Sequence, residues 1–357
     1  MKRATVKKLQ IKNLTVFPEA CLEFSPQLNM IAGENGAGKS HLLKIIYSVI
    51  AASASQGTKN PNETPTKSVL SKSIADKLVG VFRPDTLGRL ATRRQGRGER
   101  CTIAMTYSDS QQHIGFDFAS NSKREVNVTT LPRRYVPKLP VFLPTRELLS
   151  IYPNFVSVYE GHYLEFEETW RDTCVLLGAL PPRGRKELEV KELLAPLEAA
   201  MGGSILLDKG GRFYLKIPGQ GMMEMPLVAE GLRKLGMVAR LIATGALLEQ
   251  GYLFWDEPET NLNPKLIQEV AKTILHICTC GIQVFVATHS LFLMREMDIL
   301  LRTENHRETK ARFFGLHRGD NGYVVEQGDD VDSMGQIDAL EVELSQSDRY
   351  LRSGDAV

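Results

Sequence analysis

The chain has 357 residues, enough for one large domain or two smaller ones with their own hydrophobic cores. A net charge of +2 and a pI near 8.2 exclude wholesale electrostatic attraction to nucleic acid or anionic lipid, so any such binding must come from a local patch. Five scattered cysteines fit a reducing compartment better than a disulfide framework. With no signal-peptide pattern after Met1-Lys2-Arg3 and no apolar run of bilayer length, the expectation is a cytoplasmic protein without membrane contact.

Residues 4–32 read as strands. Ala20, Leu22 and Phe24 alternate with Cys21, Glu23 and Ser25, and Leu28-Asn29-Met30-Ile31-Ala32 forms a short buried run. That run feeds Gly33-Glu34-Asn35-Gly36-Ala37-Gly38-Lys39-Ser40, a GxxxxGKS loop. Leu42, Leu43, Ile45, Ile46, Val49 and Ile50 then recur at helical spacing. In this strand–loop–helix context backbone amides curl around phosphates, Lys39 reaches the β and γ oxygens, and the Ser40 hydroxyl faces Mg²⁺. The segment predicts a nucleoside triphosphate held at a helix N-terminus.

Residues 52–68, rich in Ser, Gly, Asn, Pro and Thr, predict a mobile surface loop. Arg89, Arg93, Arg94, Arg97 and Arg100 crowd one glycine-containing stretch that could track a nucleic-acid backbone or dock an acidic partner. Alternation over 101–107 and 113–118 predicts an antiparallel hairpin, and Val141-Phe142-Leu143 a short buried strand. Residues 151–201 are mainly helical, interrupted by Pro181-Pro182-Arg183-Gly184, and a second hairpin follows over 204–217. A helix from Glu230 to Gln250 is expected to end at Gly251. The last forty residues are polar enough to be partly loose.

Tyr252-Leu253-Phe254-Trp255-Asp256-Glu257 is an apolar strand ending in two carboxylates, the form of a Walker B motif. Asp256 would hold Mg²⁺ while Glu257 polarises the water that attacks the γ-phosphorus. Val286-Ala287-Thr288-His289-Ser290 closes a further apolar strand, with a helix-like stretch from Pro264 to Ile277 between the two. A strand–helix–strand crossover would bring His289, a γ-phosphate sensor, beside Glu257 on the carboxyl edge of a parallel sheet.

This set resembles an ABC-type ATPase of the RecF-like, SMC-like and OLD-like group, and its finer features resemble the prokaryotic AAA_21 family. Those features are Phe142-Leu143-Pro144-Thr145-Arg146-Glu147 after the central strand, Ala229-Glu230-Gly231-Leu232-Arg233-Lys234 in place of the ABC signature, and a D-loop-like Pro258-Glu259-Thr260-Asn261-Leu262-Asn263-Pro264. The resemblance implies an α/β fold, an ABC-type P-loop ATPase with a mixed or parallel core sheet, an antiparallel β subdomain and a helical insertion. It divides the chain into an N-terminal lobe (1–150), an insertion and hairpin (151–228) and a C-terminal lobe (229–357).

By the same resemblance the ligands are ATP and Mg²⁺, and two chains clamp two nucleotides head to tail, each signature helix completing the other's site. Two departures stand out. Ala229 replaces the signature serine, so Gly231 amides and Arg233 or Lys234 would meet the partner's phosphate. No glutamine fills a Q-loop position, leaving Arg146 or Glu147 to sense the metal or γ-phosphate. Only 67 residues follow Ser290, too few for the nuclease that OLD-like proteins append. The resemblance therefore implies a nucleotide-switched ATPase in bacterial antiphage defence, working with a separately encoded toxin or nuclease. The alternatives are a RecF/SMC-like DNA-repair or DNA-clamping ATPase, and, with less support from the signature, the nucleotide-binding subunit of a transporter.

Overall fold

A computed structural model describes residues 4–94, 97–162, 164–180, 186–335 and 338–354. The chain opens with β1 (Val6–Leu14) and β2 (Phe17–Glu23), and β3 (Leu28–Gly33) leads into the glycine loop. α1 (Lys39–Lys59) and α2 (Lys67–Phe82) follow, then β4 (Arg93–Arg94), β5 (Arg97–Gly98), β6 (Arg100–Tyr107), β7 (Ile114–Ala119), β8 (Asn127–Thr130) and β9 (Pro140–Leu143). The insertion holds α3 (Phe155–Gly161), α4 (Glu168–Leu177) and α5 (Lys186–Met201), with β10 (Ser204–Leu207), β11 (Phe213–Ile217) and β12 (Gly221–Glu224) after it. The remainder runs α6 (Glu230–Ala243), α7 (Ala246–Glu249), β13 (Tyr252–Asp256), α8 (Pro264–Thr279), β14 (Gln283–Thr288), α9 (Leu291–Leu301), β15 (Ala311–Gly319), β16 (Gly322–Gly328) and α10 (Asp338–Gly354).

Six strands form the central sheet in the order β16-β15-β3-β14-β13-β9. All neighbours are parallel except the β15–β16 edge pair. Parallel strands covered on both faces read as continuous apolar runs, and β3, β9, β13 and β14 are buried at every position. Successive side chains still divide between two cores. Leu253 and Trp255 join the one built with α6, α8 and α9, while Tyr252 and Phe254 join the one built with α1, α2 and the antiparallel sheet β2-β1-β6-β7-β8. Phe254 and Phe285 stack at 4.8 Å on the second face.

Several expectations hold: the 101–118 hairpin is β6–β7, the buried strand at 141–143 is β9, and β13–α8–β14 is a crossover between parallel neighbours. Others are corrected. The loop expected over 52–68 is mostly helix, because Ala51, Ala52, Ser53 and Ala54 are buried and this packing carries α1 on to Lys59. The single helix expected from Glu230 to Gln250 breaks at Thr244–Gly245, with Gly245 at φ 67, into α6 and α7. The second hairpin gains a third strand, β12, and the polar C-terminal stretch supplies β16 and α10. The Pro181-Pro182-Arg183-Gly184 interruption lies outside the described residues.

Candidate nucleotide site

The carboxyl ends of β3, β14 and β13 lie side by side, and each delivers polar residues to the same sheet edge. After β3 the chain turns through Gly36 and Gly38, at φ 82 and 91. A Cβ on Gly38 would stand 2.7 Å from Phe17 and Val16, so only glycine fits; one on Gly36 would meet nothing within 4 Å, which leaves the concave side open. No side chain caps the start of α1, so its first amides are free to face an anion. Lys39, 5% exposed, donates to the Gly33 carbonyl at 2.8 Å and the Glu34 carbonyl at 3.0 Å. Burial lowers its pKa against the opposing pull of Glu257, Asp256 and Glu259.

Ser40 Oγ donates to Asp256 Oδ1 at 3.0 Å. Burial pushes the Asp256 carboxyl up to about 6, despite the Ser40 hydrogen bond. A hydroxyl and a desolvated carboxylate are hard oxygen donors, and a buried carboxylate that gains so little from its neighbours fits a site meant for Mg²⁺.

Glu257 continues from β13 in a left-handed conformation, φ 47, with its N–H bonded to the Ala287 carbonyl of β14 at 2.9 Å. His289 Nδ1 lies 3.2 Å from Glu257 Oε1 and 3.6 Å from Glu259 Oε1. The hydrogen bond to Glu257 raises the His289 pKa, and the same bond lowers that of Glu257. His289 is held in place from both sides in sequence. Thr288 Oγ1 donates to Glu259 at 2.7 Å, and Ser290 caps α9 by accepting from the Leu293 amide at 3.2 Å. Asn263 caps α8 in the same way at Leu266, with Pro264 opening the helix.

The outlying candidates separate. Arg146 is exposed on the loop after β9. Arg233 forms an ion pair with the buried Glu147, Nε to Oε1 3.1 Å, although the Nε–H is not aimed at the oxygen. Lys234, the alternative to Arg233 for meeting a partner's phosphate, is 2% exposed, and its Nζ donates to the Glu257 carbonyl of its own chain. Gly231 packs on the turn after β13, where a Cβ would stand 2.5 Å from the Asn261 carbonyl. Arg89 pairs with Asp85 at 3.6 Å and Arg100 with Asp117, so two of the five arginines already have internal counter-charges. Arg93, Arg94 and Arg97 fall on the short β4–β5 hairpin, and their side chains lie outside the described residues.

Sequence reasoning gave Glu259 no role, although its Oε2 is buried beside His289 without a hydrogen-bond partner among the described residues. Its signal was position, two residues beyond Glu257. Lys234 carried a plainer one: it stands on the apolar stripe of α6 with Val238, Leu241 and Ile242. Among the described residues no helix is long and apolar enough to cross a membrane.

Residues 109–295 match the AAA_21 family model, described as "AAA domain, putative AbiEii toxin, Type IV TA system", and residues 8–126 match AAA_23, an AAA domain. The DNA replication and repair protein RecF of Ligilactobacillus salivarius is 38% identical over 61 residues, 17% of this chain and 16% of that protein's length. Among solved structures, the SMC head bound to the C-terminal winged-helix domain of ScpA is similar over 93% of this chain and all of its own, at a TM-score of 0.59 and 14% identity. An SMC head with an extended coiled coil, bound to the C-terminal domain of ScpA and derived from Pyrococcus furiosus, covers 98% of this chain and 99% of its own at 0.55 and 12%. The SMC head of Thermotoga maritima covers 90% and 98% at 0.50 and 13%. The chain belongs to the AAA_21 family and has the ABC-type ATPase fold of the RecF- and SMC-related proteins.

Proposed function

We propose that this protein binds and hydrolyses ATP and uses the nucleotide state to switch a head-to-tail homodimer. One observation carries the reading: the phosphate loop, the Ser40–Asp256 pair and the Glu257–His289 pair converge on one sheet edge from segments far apart in sequence. Lys39 and the free amides of α1 bind the phosphates and neutralise their charge. Ser40 and Asp256 would hold Mg²⁺, which when bound would supply charge stabilisation to the phosphate oxygens. Glu257 takes a proton from water at Oε1 or Oε2 and aims the water oxygen at the γ-phosphorus, whose bond to the β–γ bridging oxygen breaks to release ADP and phosphate. His289, whose pKa is raised by its bond to Glu257 Oε1, presents its other ring nitrogen as a donor for the developing charge when the ring is protonated. Across the dimer, the start of α6 at Gly231 meets the partner's nucleotide; Arg146, on the loop after β9, is an exposed cation.

The family's description as an AbiEii-type toxin of a type IV toxin–antitoxin system supports work beside a second protein, and we place that work in antiphage defence with a separately encoded effector. The short RecF likeness favours a second reading, ATP-dependent DNA clamping. Glu257→Gln tests the core of both. The variant should bind ATP with near wild-type affinity, lose about 100-fold or more in turnover, and accumulate as a dimer when ATP is present. Phosphate release and light scattering read these outcomes, and wild-type turnover would remove Glu257 from the mechanism.

A further inference from the structure

The first turn of α6 is fastened to the loops that follow two neighbouring strands, β9 and β13. Arg233 reaches Glu147 after β9, and Gly231 sits against the Asn261 carbonyl after β13. Lys234 makes the third attachment. Its ammonium is buried, and its hydrogen bond of 2.5 Å goes to the main-chain carbonyl of Glu257 rather than to a carboxylate.

That carbonyl belongs to a residue at φ 47, a left-handed conformation that is unfavourable for a non-glycine residue and persists only where its surroundings hold it. The Glu257 N–H is already held by the Ala287 carbonyl of β14. With Lys234 on the C=O, both backbone polar groups of Glu257 are held, which sets where its side chain starts, while His289 and Thr260 hold the two carboxylate oxygens at its end. The lysine also stands in the field of Glu259, Glu257 and Asp256, which offsets part of the cost of burying it; burial still brings its pKa down to about 8.

We propose that Lys234 is a positioning residue for hydrolysis: through the Glu257 carbonyl it locks the left-handed main chain that aims the carboxylate, and it ties that aim to the first turn of α6. This rests on the assignment of Glu257 as the base. It also makes the link between α6 and the base run within one chain, so that a displacement of α6 on dimer contact re-aims Glu257 without any change in the phosphate loop.

Lys234→Met and Lys234→Arg are compared with Glu257→Gln and the double variant Lys234→Met/Glu257→Gln, by steady-state ATP hydrolysis and by titration with a fluorescent ATP analogue. K234M should lower kcat by about tenfold or more and leave nucleotide affinity within about twofold. K234R keeps the charge and an N–H donor, and should hold most of the wild-type kcat. The double variant should turn over no more slowly than E257Q alone, because residues acting as one unit are not additive. Should K234M fail to fold, K234Q, one bond too short to reach the carbonyl, is read by the same assays with the same expectation.

An inactive E257Q beside a K234M or K234Q of wild-type kcat overturns this inference and leaves the base assignment standing. Equal losses of kcat and affinity in K234M and K234R overturn it too, since they mark a purely structural lysine. A fully active E257Q removes the premise and overturns both.

Discussion

Ser40 Oγ donates to Asp256 Oδ1 at 3.0 Å across 216 residues of sequence, joining the end of the phosphate loop to the end of β13. The contact puts a buried carboxylate next to a neutral partner. Folding alone therefore does little to hold its charge.

The Asp256 carboxyl has a folded pKa of about 6, above its ordinary 3.8, so the folded state binds the proton more tightly than the unfolded chain does. Stability without ligand consequently falls as pH rises from about 4 to about 6, by a cost of order 3 kcal/mol at neutral pH. Asp256→Asn should raise the thermal midpoint at pH 7.5, in the absence of nucleotide and Mg²⁺, by a few degrees, while hydrolysis is lost. The difference should shrink towards pH 4. A lower midpoint for the variant at pH 7.5 would contradict the desolvation account.

His289 and Glu257 shift in opposite directions. Stability from the raised histidine is complete below about 6.5 and is lost as pH climbs through its folded pKa; stability from the lowered glutamate is present above about 4.5 and lost as pH falls through its own. The pair is therefore most stabilising between those limits, modestly so because His289 is 43% exposed. Followed by NMR, the His289 ring in the nucleotide-free protein should titrate above its ordinary 6.5, and Glu257→Gln should move that midpoint down. An unmoved midpoint would mean that Glu257 does not hold the imidazolium.

Lys39 is folded onto the carbonyls of Gly33 and Glu34 inside the loop. Lys39→Ala should weaken ATP binding by about tenfold or more, measured by calorimetry, with the fold retained. Unchanged affinity would count against this loop as the phosphate site.

The arginine cluster separates the two functional readings. The effector reading expects basal hydrolysis that duplex DNA does not stimulate. DNA clamping expects stimulation and a salt-dependent affinity with a slope of about −4.5 if all five arginines contact phosphate, or about −2.7 if Arg89 and Arg100 stay with Asp85 and Asp117. Neutralising Arg93, Arg94 and Arg97 should flatten that slope, and fluorescence anisotropy at several salt concentrations measures it.

Local pattern was enough to find β3, the glycine loop, the start of α1, β13 and β14, because apolar runs, glycines at fixed spacing and terminal carboxylates report their own conformation. It also placed His289 near Glu257, since two buried parallel strands joined by one helix pair side by side. Composition misled where burial overruled it, as in the serine- and alanine-rich second half of α1.

The sequence by itself determined the chemistry at this sheet edge: a phosphate loop, two consecutive carboxylates and a histidine, each at the end of a strand whose apolar run is readable. Tertiary structure alone decided that β15 lies beside β3, that Arg233 turns to Glu147 and that Lys234 turns inward to Glu257. Strand partners and the direction of a buried charge depend on groups that folding brings from tens to hundreds of residues away. A long side chain on a helix looks the same in sequence whether its end reaches solvent, a second chain or a carbonyl in its own core.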